Sequence, residues 1–147
     1  MFPSTTVTQI GLVVNDIEAA IDRYMQIFDL PERPVPIITD TVDQARTEYL
    51  GKSSPARAKL AFIPMGQVTI ELIEPDHEPS TWREHLDKFG ESVHHIAFQI
   101  TGTGKTVEFL QTQGVPLEQL GYYTGGMYTY VDSCAKLGVR LQLLENF

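Results

Sequence analysis

The chain repeats itself, and that constrains its fold more than any single motif. Gln9-Ile10-Gly11-Leu12 matches His95-Ile96-Ala97-Phe98 in position and pattern, and helical spacing follows both. Thr69-Ile70-Glu71-Leu72-Ile73-Glu74 matches Arg140-Leu141-Gln142-Leu143-Leu144-Glu145 more closely still. The period is about half the chain, far longer than the ~20–50 residues of solenoid units, so the repeat reads as a duplicated module. Each half reads strand, helix, then about three strands. The fold class expected is α+β: two βαβββ modules forming a curved mixed sheet around one pocket, related by a pseudo-twofold axis.

Local signals supply the elements. Thr6 to Val14 is β-branched and apolar and predicts a strand, with Val7, Gln9, Gly11 and Val13 on one face. Asn15-Asp16 supplies a helix N-cap, and the apolar positions from Ile17 to Phe28 recur at helical spacing up to Leu30-Pro31. Residues 31–43 read as a loop with a short strand near Ile37. Gln44 to Leu50 reads as a strand and residues 51–55 as a turn or mobile loop. Arg57–Pro64 and Gln67–Glu74 read as a hairpin around Met65-Gly66. Ser80 caps a short helix from Thr81 to Phe89. The second half reads as a strand Ser92–Ile100, a helix Lys105–Gln113 closed by Gly114, strands at Leu117–Leu120 and Tyr128–Val131 across a Gly125-Gly126 turn, and a last strand Gly138–Glu145. Residues 1–147 then form one domain: module one about 5–75, a linker and short helix 76–91, and module two about 92–147.

At 147 residues the chain can bury a core without staples, and its one cysteine, Cys134, excludes an internal disulfide and a Cys-only zinc cluster. No apolar run approaches the ~20 residues of a membrane span. Met1 to Ser4 show no signal-peptide pattern, and a reducing cytoplasm is the expected location. A net charge of −8 speaks against a nucleic-acid partner, which needs basic clusters. Gly102-Thr103-Gly104-Lys105-Thr106 lacks the spacing of a phosphate loop.

Polar residues inside strands are costly on a face packed against helices, so they belong on the opposite face, inside the shared pocket. The repeat picks out Gln9 with His95, and Glu71 with Gln142. One carboxylate, one imidazole and two amide oxygens form an acceptable set for a divalent cation: zinc, nickel, cobalt, manganese or ferrous iron. Taken singly, each of the four reads first as a residue on a solvated face; it is their pairing by the repeat that points to a shared pocket. His94 points away from His95 and reads as a satisfied structural histidine. His77 and His85 read as solvent-facing. Tyr128 and Tyr130 lie beside the Gly125-Gly126 turn and read either as packing or as phenol acids near a substrate; Tyr122 reads as packing.

At these residues the chain resembles the vicinal oxygen chelate superfamily, which includes glyoxalase I, methylmalonyl-CoA epimerase, extradiol dioxygenases and bleomycin-resistance proteins. The resemblance spans nearly the whole chain. It rests on residues 10–18, on Phe62-Ile63-Pro64-Met65-Gly66, on Ile70 to Pro75, and on Val93-His94-His95-Ile96-Ala97-Phe98; the pattern is most similar to the epimerase branch. It implies a metal held by one residue from each of four strands, at Gln9, Glu71, His95 and Gln142, and a homodimer. Two positions depart from the epimerase pattern. Gln142 stands where a glutamate is usual, and an amide accepts no proton at neutral pH. Pro55 stands where the resemblance places a second glutamate.

Two functions follow as expectations. One is a metal-assisted isomerase, epimerase or lyase acting next to a carbonyl of a small oxo-acid or acyl thioester, with catalytic candidates Glu71, Glu48, Tyr128 and Tyr130. The other is a metal-free small-molecule binding protein without catalysis. An extradiol dioxygenase ranks last, because Gln9 and Gln142 stand where it needs a histidine and a carboxylate.

Overall fold

A computed structural model describes all of residues 1–147. Its elements are β1 (Gln9–Val13), α1 (Ile17–Phe28), β2 (Ile37–Ile38), α2 (Val42–Ala45), β3 (Glu48–Tyr49), β4 (Lys52–Ser53), β5 (Ala58–Met65), β6 (Val68–Pro75), α3 (Thr81–Phe89), β7 (Ser92–Gln99), α4 (Thr103–Thr112), β8 (Leu117–Tyr123), β9 (Gly126–Val131), α5 (Cys134–Leu137) and β10 (Arg140–Asn146). The ten strands form one mixed sheet in the order β2-β5-β6-β1-β7-β10-β9-β8-β3-β4, curled into a half-barrel.

The duplication is written in the strand register. β1 and β7 pair antiparallel at the centre, and each pairs parallel on its outer side, β1 with β6 and β7 with β10. Gly11, two residues after Gln9, faces Glu71, while Ala97, two residues after His95, faces Gln142. One strand further out, Phe62 faces Glu71 and Tyr130 faces Gln142. The pairs singled out by the repeat are therefore equivalent to the residue. The glutamates that end the repeated segment are equivalent too. Glu74 accepts from Ile17 N at the start of α1 (3.0 Å), and Glu145 accepts from Gly102 N and Thr103 N at the start of α4 (2.8 and 3.0 Å). Each carboxylate takes up amides that a helix start leaves unpaired. Glu145 thereby occupies the place a phosphate would take in the Gly102–Thr106 segment, and these hydrogen bonds lower its pKa.

Helices α1 and α4 cover the convex face. Asp16 caps α1 through Ala19 N (3.1 Å), and Ile17, Ala20 and Ile21 bury against Ala61, Ile63 and Leu72. Leu110 of α4 buries with Phe98, Val131, Leu141 and Leu143. Each such large side chain contributes roughly 1.5–3 kcal/mol by leaving water. On the concave side Ser80 caps α3 through Arg83 N (3.0 Å), and α3 plugs one end of the half-barrel, burying Trp82 and Leu86 against Val13, Ala58, Ile73 and Tyr130.

The two hairpin turns fall at Gly66-Gln67 and Thr124-Gly125, each one residue from its expected place, and one expected element is lost. Gln44–Leu50 is not a strand: residues 42–45 form a single helical turn ended by Arg46 at φ 49°, and only Glu48–Tyr49 pair with β8. Gln44 and Ala45 amides both bond Thr41 O (3.0 and 2.8 Å), a local pattern that outcompetes a two-residue ladder. The segment after it is tied down, since β4 pairs with β3 and Ser54 is buried with its hydroxyl on Pro79 O (2.5 Å).

Candidate active site

The concave face encloses a cavity of about 530 Å³. Gln9, Glu71 and Gln142 line it from β1, β6 and β10. His95 of β7 is fully buried, with Nε2 3.3 Å from Glu71 Oε1. The ring has room because residue 11 is glycine: a Cβ there would overlap His95 Cε1 and stand 2.7 Å from Nε2.

His94 is not where strand alternation predicts it. Gly11 faces His95 but Leu12 faces Val93, so His94 is the extra residue of a β-bulge. The bulge turns its ring toward His95, with Nδ1 2.9 Å from His95 Nδ1. His85 is half-buried rather than solvent-facing, between Ser92 Oγ (2.9 Å) and Arg140 (3.1 Å). His77 is exposed as expected.

Hydrogen-bond bookkeeping fixes which nitrogens carry protons. Ser92 Oγ donates to Gly90 O, so it accepts from His85 Nε2, which leaves His85 Nδ1 bare to accept from Arg140. Arg140 Nε donates to Glu118 Oε1 (2.6 Å) and its Nη1 to His94 O (2.9 Å). Thr81 Oγ1 donates to the same Glu118 oxygen (3.3 Å), so it accepts from His94 Nε2 (3.2 Å). His94 Nδ1 is then bare and accepts from His95 Nδ1. His94 stays neutral, because burial and then the neighbouring His95 and Arg140 hold its pKa well below the ordinary value. The chain of bonds ends with His95 Nε2 presenting a lone pair toward Glu71, as a metal-binding histidine must.

Three buried atoms here have no hydrogen-bond partner: His95 Nε2, Glu71 Oε1 and Gln142 Oε1. Such orphans are rare, and three acceptors in one place call for a cation or a donor. Adjacent ligands of a cation stand about 3.0–3.5 Å apart when each bond is ~2.0–2.2 Å, and the Glu71–His95 separation matches. The donor set fits a divalent ion, with two strong ligands and two neutral amides.

The tyrosines divide. Tyr130 is buried, accepts from Trp82 Nε1 (3.0 Å), and has a pKa pushed well up by burial and by Glu71. Burial pushes Tyr128 up to about 12. Both stay protonated at neutral pH and can donate but not act as bases. Glu48 does not line the cavity: it is exposed, in a separate groove with Asp43, Arg46 and Ser53. Pro55 is also outside the cavity and exposed. Tyr122 lines the cavity and carries the Arg46 guanidinium 3.9 Å from its ring centroid.

Sequence reasoning missed several supports. Gln119 is buried, accepts from Thr81 N (2.8 Å) and donates to Tyr128 (3.1 Å). A polar residue inside a predicted strand was the available cue, the same one that marks Gln142. Trp82 lines the cavity from α3, and Thr47 and Asp40 line it from the segment after β2.

Fold and site together define a duplicated βαβββ protein with Gln9, Glu71 and Gln142 lining one cavity and His95 buried against Glu71. A family model described as the glyoxalase/bleomycin resistance protein/dioxygenase superfamily matches residues 8–131, and the chain belongs to this family. Among solved structures it is similar to a hypothetical protein from Bacillus halodurans C-125 (22% identity, 96% of this chain and 94% of that one, TM-score 0.67). It is similar as well to methylmalonyl-CoA epimerase from Mycobacterium tuberculosis (22%, 100% and 93%, TM-score 0.62) and to a methylmalonyl-CoA epimerase in complex with methylmalonyl-CoA and NH4+ (21%, 97% and 94%, TM-score 0.65). At these identities the likeness is one of fold. None of the curated protein sequences compared matches the chain.

Proposed function

We propose that the chain is an isomerase that moves a proton next to a substrate carbonyl at the floor of this cavity. The observation that carries the reading is the meeting of two unpartnered acceptors, Glu71 Oε1 and His95 Nε2, at 3.3 Å. A divalent cation held by Gln9, Glu71, His95 and Gln142 would supply Lewis-acid polarisation of the carbonyl oxygen. Glu71 is the one carboxylate on the cavity floor, and it takes the proton from the carbon beside the carbonyl. Tyr128, protonated at neutral pH, donates a hydrogen bond to the oxygen on which negative charge develops. Gln142, the equivalent of Glu71 in the second module, cannot accept a proton. With a single base, the proton is removed and returned on one face. That chemistry suits enolisation and isomerisation better than epimerisation, which needs a base on each face.

A second reading, ligand binding without turnover, is favoured by the same amide at 142. Deuterium wash-in separates the two. Protein loaded with zinc or cobalt and incubated in D2O with hydroxyacetone is expected to exchange the C–H next to the carbonyl, as read by NMR. Glu71→Gln is expected to slow that exchange about 10²–10⁴-fold. Exchange no faster than the metal salt alone would leave the binding reading in place.

A further inference from the structure

Away from the floor, the cavity wall combines tyrosine rings with neutral hydrogen-bonding groups. Tyr128 faces Gly121 and Tyr123 faces Gly126 across the β8–β9 pair, and each ring lies across the glycine opposite it. A Cβ on Gly121 would stand 2.6 Å from the Tyr128 hydroxyl, and one on Gly126 would stand 2.7 Å from the Tyr123 ring. The Tyr123 hydroxyl donates to Asn146 Oδ1 (2.9 Å), which leaves the Asn146 amide protons for a ligand. Gln142, Leu144 and Asn146 alternate along β10 and all line the cavity, and Gln99 lines it from β7 opposite Leu144. A row of amides thus runs from the floor to the end of β10. The segment after β2 adds Thr39 and Asp40. Thr39 Oγ1 accepts from Ala58 N (3.0 Å), so its proton is free to donate, and the Asp40 carboxylate accepts O–H donors.

Resting on the carbonyl chemistry above, we infer that the substrate is a hydroxy ketone or hydroxy aldehyde with a polyhydroxylated tail, a short ketose or aldose. Each tail hydroxyl both donates and accepts, as the amides of Gln99 and Asn146 require, and supplies the O–H that Asp40 takes up. A hydrocarbon tail would strip water from these groups and leave them unpaired. The C–H faces of a sugar are apolar and pack on the tyrosine rings while its hydroxyls reach the amides. A volume of about 530 Å³ is within the range of small-molecule sites and leaves room for such a chain. The reaction at this head balances internally. The C–H bond on the hydroxyl-bearing carbon breaks, its proton passes to Glu71, and its electron pair forms the double bond of an enediol. Glu71 returns the proton to the former carbonyl carbon, and the hydroxyl proton crosses to the former carbonyl oxygen through Tyr128. One carbon is oxidised as its neighbour is reduced, and no co-reactant is consumed. The small oxo-acids and acyl thioesters expected from the sequence lack the run of hydroxyls that this wall can pair.

Matched probes test this: the D and L forms of ribulose and xylulose against 1-hydroxypentan-2-one, which has the same hydroxy-ketone head and five-carbon chain without the tail hydroxyls. Calorimetry uses the full chain with saturating zinc, and deuterium exchange is followed on the same samples. Trp82 is the only tryptophan and lines the cavity, so its fluorescence confirms that binding is at this site. The best of the pentuloses is expected to bind about tenfold tighter or more than 1-hydroxypentan-2-one, because a site that pairs hydroxyls rejects an analogue lacking them. Asn146→Leu, an exposed change at the end of β10, is expected to narrow that ratio. The inference is overturned if 1-hydroxypentan-2-one binds as tightly as every pentulose, if no pentulose binds, or if Asn146→Leu leaves the ratio untouched. The result is separable from the isomerase reading. Pentulose preference without deuterium exchange sinks the chemistry alone, and exchange on hydroxyacetone with no pentulose preference sinks the substrate class alone.

Discussion

Gly11→Ala is expected to lower stability by about 1–3 kcal/mol and to displace the His95 ring from the site. The backbone at residue 11 is ordinary strand, so the requirement is for space rather than for an unusual dihedral angle. The added methyl would overlap His95 Cε1 and stand 2.7 Å from Nε2, and the ring cannot swing aside. Its Nδ1 is held by His94, and its other face packs on Tyr130 at a centroid distance of 5.0 Å. The neighbouring β6 strand also pairs with residue 11, so the backbone has little freedom to yield. Gly104→Ala is the control. Position 104 is inside α4 and a Cβ there meets nothing within 4 Å, so the same change should stabilise by about 0.4–1 kcal/mol. Urea denaturation midpoints of the two variants read the contrast. Equal effects would mean that His95 does not depend on Gly11.

Glu118→Ala should cost about 3–5 kcal/mol, the range for breaking a buried ion pair from one side. The Glu118 and Arg140 side chains are 13% and 9% exposed and meet at 2.6 Å, and Glu118 Oε1 also accepts from Thr81 Oγ1, which sets the bond directions through His94 and His95. Removing the carboxylate leaves a buried guanidinium beside two histidines. It also frees the Thr81 proton to turn toward His94 Nε2, which reverses the chain and puts a proton on His95 Nε2. Metal affinity should therefore fall along with stability. The double replacement Glu118→Leu with Arg140→Met should recover much of the stability, since neither charge then remains, while leaving the bond direction unanchored. Chemical denaturation and 15N shifts of His95 separate the two effects. Unchanged His95 shifts in the single variant would detach Glu118 from the site.

Most of the frame was legible because it rests on local signals that the duplication states twice. Asp16 and Ser80 mark helix starts by side-chain capping, and Gly66 marks the β5–β6 hairpin, whose turn falls at Gly66-Gln67, one residue beyond the expected Met65-Gly66. Gln9, Glu71, His95 and Gln142 stand out as polar residues in apolar strands, and the strand register pairs them as the repeat does. What was not legible depends on contacts remote in sequence. Strand alternation puts His94 on the wrong side, because a bulge opposite Gly11 appears only once β1 pairs with β7. His85 reads as a surface residue until Arg140, 55 positions away, reaches it. Glu48 belongs to a predicted strand that shrinks to two residues at the sheet's far edge, where a different groove receives it.

The central claim is that Gln9, Glu71, His95 and Gln142 form one cation site. Native mass spectrometry after exposure to zinc, nickel, cobalt, manganese and ferrous iron tests it most directly. The account predicts one equivalent of at least one of these ions on the parent chain, lost in Glu71→Ala and in His95→Ala. In Gln142→Ala the ion should be retained but more weakly bound, because a neutral amide is the lesser ligand. A parent chain that takes up none of the five ions, or a His95→Ala variant that binds as the parent does, would contradict it.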